Sequence, residues 1–269
     1  MIKTLVSLET NLASRLALKY TCSLAKLIDM ELYTVHIREP DSGGQPPGSG
    51  WVHKTWQDAL LQSDQEEIAR FIQTERASYP ELGPLKISVG DREKEIFYEL
   101  QSGFYGLFVE GALHTFDASP FYRKIHSWFY QNSPCPIILV KNLVNLEKVR
   151  LVLGQGVNYT QLTSTFLKIF KGLPVELDLI YYHFNGDETS IQQTGENADM
   201  MLRNTEKILL EHAMTASQCR VVQNSPEKTD EFMQGYGLIV SSVDRQSNRK
   251  SPLLELLSRT PYPLFLCRQ

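Results

Sequence analysis

The chain has 269 residues, 42% of them hydrophobic, with Lys+Arg 27 against Asp+Glu 31 for a formal net charge of −4. That length suits one large domain or two ordinary ones, and the apolar content is enough for packed cores. An acidic balance lacks the broad positive field of a nonspecific nucleic-acid binder, and no run approaches the ~20 apolar residues of a membrane helix.

The first half alternates between two hydrophobic periods. Residues 2–8 (IKTLVSL) read as a short apolar strand, and 11–29 as a helix with Asn11 at its N-cap. ELYTVHI (31–37) is a second strand. The Gly/Pro-rich stretch 38–57 reads as a loop. A helix is expected at 58–78, a strand at 85–90, a helix from Asp91 to about 102, and a strand, GLFVEG, at 106–111. Ser119-Pro120 reads as an N-cap with proline at the first helical position. The helix it opens is expected to reach about 131, before a last strand, PIILVK, at 136–141.

The second half repeats that order. Strands are expected at 148–154, 175–184, 219–224, 237–243 and 263–268, and helices at 160–172, 196–215, 226–234 and from Ser251-Pro252 onward. Matching strings carry the repeat. LVSLE ending at Glu9 matches LVLGQ ending at Gln155, His36 aligns with His183, Gly106 with Gly237, Ser119 with Ser251, and Pro136 with Pro263. The order never changes while the spacing falls, so the chain reads as a duplication with loop-length drift. The boundary is expected near residue 143, giving domains over 1–143 and 144–269 with a short joint.

Continuous apolar runs such as LFV and PIILV mark strands buried on both faces. Strands alternating with amphipathic helices imply a parallel, doubly wound α/β sheet in each half. Such sheets bind ligands beyond the carboxyl ends of the strands, where the strand order reverses. The four cysteines (Cys22, Cys135, Cys219 and Cys267) are dispersed without metal or redox spacing, so they read as reduced core thiols and no metal is expected. The N-terminus has no signal-peptide pattern, and the expected compartment is the cytoplasm.

LVSLE with its following helix, VHI, GLFVEG and above all NSPCPIILVK resemble a universal stress protein domain, and RTPYPLFLC repeats the closing turn in weaker form. The resemblance covers almost the whole chain and is to the tandem members of that family. It implies strand order 3-2-1-4-5 in each half, and pairing of 136–141 with 263–268. It also implies, for one branch of the family, ATP held by a glycine-rich loop after the fourth strand and an acidic residue after the first.

Set against that motif, this sequence departs. In the first half Gly111 keeps the first glycine, His114 replaces the second, Ser119 matches the terminal Ser, and Glu9 stands for the acid. In the second half Ser241 and Asp244 replace both glycines, Ser251 matches the terminal Ser, and Gln155 replaces the acid. Both loops are several residues short of what the resemblance requires for a triphosphate. ATP and AMP are therefore disfavoured and no cofactor is expected. Glu9, Gly111, His114 and Ser119 form a candidate remodelled small-molecule site. The alternative is that Ser119 caps a helix, Gly111 makes a turn and His114 is a solvated loop residue. His36, a further ligand-binding candidate, and His183 occupy equivalent strand ends and read either as a pair of pH sensors or as strand-end residues with satisfied ring nitrogens. Arg123, Lys124 and His126 near Trp128 read as a solvated helix face or, alternatively, as a site for an anion or a partner. Trp51, His53 and Trp56 read either as a lid or as an anchor for the loop before them. No nucleophile elbow, P-loop or HExxH occurs. The expected function is a non-catalytic, stress-linked regulatory or interaction module with an unidentified protein partner. A homodimer is left open, and the alternative is a protein that binds an adenine nucleotide or another small anion in the first half.

Overall fold

In the computed structural model, described for residues 1–39, 51–75, 82–113, 118–183, 191–223, 233–243 and 251–268, strands and helices alternate along the chain. The first half comprises β1 (Ile2–Ser7), α1 (Leu12–Ala25), β2 (Met30–Arg38), α2 (Trp51–Glu75), β3 (Leu82–Val89), α3 (Arg92–Gly103), β4 (Leu107–Gly111), α4 (Ala118–Ile125), α5 (Trp128–Asn132) and β5 (Ile137–Val140). The second comprises β6 (Lys148–Gly154), α6 (Tyr159–Phe170), β7 (Glu176–His183), α7 (Ile191–Glu211), β8 (Ala216–Gln223), β9 (Leu238–Val243), α8 (Pro252–Arg259) and β10 (Leu264–Arg268).

The ten strands form one sheet in the order β3-β2-β1-β4-β5-β10-β9-β6-β7-β8. Each half is thus 3-2-1-4-5, all parallel within itself. The two orders are joined where β5 and β10 pair antiparallel, with Leu264 opposite Leu139, Phe265 opposite Ile138 and Leu266 opposite Ile137. This pairing covers two edges that otherwise expose unpaired backbone. The central strands are buried on both faces, as their unbroken apolar runs require. β5 is buried throughout, and so is β4 up to Glu110.

Register fixes which residues of the halves correspond. Gly106 N donates to Lys3 O and Gly237 N to Lys148 O. Lys3 pairs with Glu31 and Lys148 with Glu176. Lys3 to Lys148 and Glu31 to Glu176 are both steps of 145, so the β1-α1-β2 and β6-α6-β7 units correspond without a gap. Gly106 to Gly237 is a step of 131 and Pro136 to Pro263 a step of 127. His36 therefore corresponds to Tyr181, not to His183. The sequence strings misled because His36 sits two residues before the end of β2 while His183 is the last residue of β7.

The halves also interlock through side chains. Tyr20 of α1 donates its hydroxyl to Gly237 O at 2.9 Å. Lys141, fully buried, donates its ammonium to Leu257 O, Ser258 O and Thr260 O at 3.0, 2.9 and 3.1 Å. Those carbonyls at and just beyond the C-terminus of α8 carry the negative end of the helix dipole and lack intrahelical donors.

Several expectations need correcting. α2 starts at Trp51, inside the stretch read as loop, because glycine and proline cease after Gly50. Trp51, His53 and Trp56 are therefore helical, and their side chains, like residues 40–50, lie outside the described residues. Ser119 is not an N-cap, since the backbone is already helical at Ala118. The helix expected through 131 breaks after Ile125, and α5 begins behind Ser127 in extended conformation. α7 ends at Glu211, with Ala213 at φ 59 turning the chain into β8. Cys219 is exposed rather than core, because β8 is an edge strand with Ser217 to Arg220 open to solvent. Most of the helix expected at 226–234 lies outside the described residues.

Candidate functional site

The strand order of the first half reverses between β1 and β4, and the crevice beyond their carboxyl ends is where a doubly wound sheet offers a site. Asn11 shapes its rim. Its side chain accepts from Ser14 N at 2.9 Å and donates to Glu9 Oε2 at 2.6 Å, while Glu9 N donates to Ser14 Oγ at 2.8 Å. On the other side, Asp91 caps α3 by accepting from Lys94 N at 3.0 Å, which sets Arg92 in the first turn facing the crevice.

Arg92 bridges the two strand ends. Its guanidinium donates to Ser7 Oγ at 3.1 Å and to Glu110 Oε2 at 2.8 Å, and its Nε lies 3.3 Å from Glu9 Oε1. Glu110, 2% exposed, is the centre of the cluster. Its other oxygen takes Lys124 Nζ at 3.0 Å and the hydroxyl of Tyr130. Burial alone raises the Glu110 carboxyl, but Lys124, Arg92 and the Tyr130 hydroxyl outweigh it and hold the group at about 2. Burial, followed by Glu110, pushes the Tyr130 phenol well up, so it stays a donor. Burial pulls the Arg92 guanidinium down, and Glu110 with Glu9 more than restores it. The crevice floor is thus a closed, charge-compensated network of the chain's own side chains.

The other predicted residues fall into place around it. Gly111 is needed for packing: a Cβ there would lie 2.2 Å from Ala13 O, where the start of α1 crosses the end of β4. His36 joins Leu8 O through Nδ1 at 2.8 Å, and its Nε2 lies 3.9 Å from Asp64, which also pairs with Arg38 at 2.5 Å. It therefore braces β1 and β2 against α2. His183 does not share that arrangement, since its buried Nε2 has no partner among the described residues. Ser119 is exposed in the first turn of α4. His114 lies outside the described residues, as does Asp244.

In the second half, Ser241 is buried and donates to Val152 O at 2.9 Å, inside the sheet. Ser251 takes the N-cap place of α8 without a capping bond from its side chain, and Pro252 follows at the first helical position. Gln155 and Ser251 share the rim of a cavity of only ≈ 20 Å³ with Leu253 and Leu254. That is room for about one water.

The network's main members (Arg92, Glu110, Lys124 and Tyr130) were not singled out as a site from sequence. One signal existed. Glu110 ends the buried run LFVE, and a carboxylate there needs a cation. Lys124, read as part of a solvated face, is that cation together with Arg92.

The whole chain is similar to a universal stress protein from Archaeoglobus fulgidus DSM 4304, with TM-score 0.68 and 16% identity, covering 100% of this chain and 96% of that one. The fold is that of the universal stress proteins. A functionally unknown protein from Pseudomonas aeruginosa PAO1 is similar at TM-score 0.59 and 13% identity, covering 100% and 92%. A third structure, from Pseudomonas aeruginosa UCBPP-PA14, is similar at TM-score 0.58 and 14% identity, covering 100% and 93%. No family model and no curated protein sequence matches the chain. The crevice just described lies where a doubly wound sheet offers a ligand position. Among the described residues, no group of three or more His, Cys, Asp or Glu is placed to hold a metal, and no helix is long and apolar enough to cross a membrane.

Proposed function

We propose that the chain is a tandem universal-stress-type protein, with domains over 1–143 and 144–269, that works without a nucleotide in either switch-point crevice. On this reading it is a non-catalytic regulatory or protein-interaction module of a stress response. The observation that carries the reading is Arg92 lying between Glu9 and Glu110 across the ends of β1 and β4. A polyphosphate arriving there finds both cations, Arg92 and Lys124, already engaged by Glu9 and Glu110, and binding would require it to displace carboxylates held in a crevice of low dielectric. In the second half, Leu253 and Leu254 leave space for little more than a water.

Titration calorimetry of the full chain with Mg-ATP and with AMP tests this. The expected result is no saturable heat up to roughly millimolar ligand, the weak end of the affinity scale. Saturable micromolar binding of either nucleotide by the unaltered chain, placed in a crevice by its loss on Gly111→Trp or on Ser251→Trp, would overturn it.

A further inference from the structure

Because β5 and β10 pair antiparallel about Ile138 and Phe265, the halves are related by a local two-fold axis, and the seam has two corresponding clefts. One is filled. Tyr20 reaches across it to Gly237 O at 2.9 Å, and the Tyr262 hydroxyl accepts from Gly235 N at 3.0 Å. The register of the sheet gives their counterparts in the other cleft. A step of 145 from Tyr20 leads to Thr165, and a step of 127 back from Tyr262 leads to Cys135. Two phenol rings are thus replaced by two small side chains, and a groove of ≈ 770 Å³ opens beside them. That volume is within the ~300–1,000 Å³ of small-ligand sites.

The charge of the groove is also one-sided. Lys168 and Arg268 line it, together with Tyr105, Pro136, Gln161 and Thr165, and among the described residues no carboxylate side chain does, although the chain as a whole is acidic. The counterpart of Lys168 is Ser23. The counterpart of Arg268 is Lys141, whose ammonium is buried on the carbonyls at the end of α8. Arg268 is exposed at the rim instead.

We propose that this open cleft binds a small organic anion. Its acidic group pairs with Lys168 and Arg268, and its apolar body lies against Tyr105 and Pro136. The site is remote in character from the switch-point crevices, being built on the seam, and does not depend on how those are read.

Anilinonaphthalene sulfonate, an aromatic sulfonate, is the probe. Calorimetric titration into the full chain is expected to show one saturable site. Lys168→Ala and Arg268→Ala should each weaken it about tenfold, the loss of one charge-assisted contact. Thr165→Tyr and Cys135→Tyr, each copying the residue of the filled cleft, should abolish it, and Lys171→Ala, an exposed cation of the same region outside the groove, should leave it unchanged. If the buried Cys135 does not tolerate tyrosine, Thr165→Tyr at its half-buried position decides. No saturable binding, binding that survives Thr165→Tyr, or binding indifferent to both charge removals would each overturn the proposal.

Discussion

Replacing Glu110 by glutamine removes the one carboxylate that holds Arg92, Lys124 and Tyr130 together. Its carboxyl is drawn from the ordinary 4.5 down to about 2 by partners it meets only in the folded chain. At about 1.4 kcal/mol per pH unit, that interval corresponds to about 3 kcal/mol of stability at neutral pH. The group is almost fully buried, so solvent screening removes little of it. The sign follows from proton binding. The folded carboxyl holds its proton more weakly than the unfolded one, so the contribution is complete above about pH 4.5 and is lost as the pH falls through about 2. Urea unfolding of the wild type and Glu110→Gln should therefore differ by about 3 kcal/mol at neutral pH and by roughly half of that near pH 3. A difference below about 1 kcal/mol at neutral pH, or one that does not shrink on acidification, would show that the cluster is not the charge-compensated network described.

Two further outcomes are expected. Burial brings the Lys141 ammonium down from 10.5 to about 7, so the folded chain releases that proton more readily than the unfolded one, and stability from this group should rise between pH 7 and 10.5. Lys141→Met should remove that rise, a difference on the order of 4 kcal/mol across the window, read as the gap between wild-type and variant unfolding at pH 7 and pH 10; parallel curves refute it. Gly111→Ala places a methyl 2.2 Å from Ala13 O and should cost about 2 kcal/mol through forced movement of α1. An unchanged thermal midpoint would show that the close crossing of α1 over β4 is not required.

The scaffold was legible because its signals are local. LFV and PIILV are buried strands, as their composition requires, and Asn11 and Asp91 cap α1 and α3 through bonds that span only three residues. Ser119 misled for the same reason. Ser-Pro is a sufficient helix start, but nothing in the dipeptide says that Ala118 is already helical. The crevice network was not legible as a unit. Arg92, Glu110, Lys124 and Tyr130 come from four elements, and only the successive crossings β3-α3-β4 and β4-α4-α5-β5 bring them together. Glu110 alone announced a need for a partner, without naming it. The duplication was visible as matching strings, and Gly106 with Gly237 and Pro136 with Pro263 were in register, but the His36 and Glu9 matches were not. Hydrogen bonds at Gly106 and Gly237 set the register, and similarity of strand ends pointed away from it.

The antiparallel union of β5 and β10 has an evolutionary consequence. When two identical subunits meet about a symmetry axis, every substitution appears twice, and a ring that closes one opening closes its mirror partner as well. Here a single polypeptide supplies both sides, so a tyrosine can seal one mouth while threonine and cysteine leave the opposite mouth free. Two halves within one chain are free of that enforced symmetry, so the molecule has a front and a back.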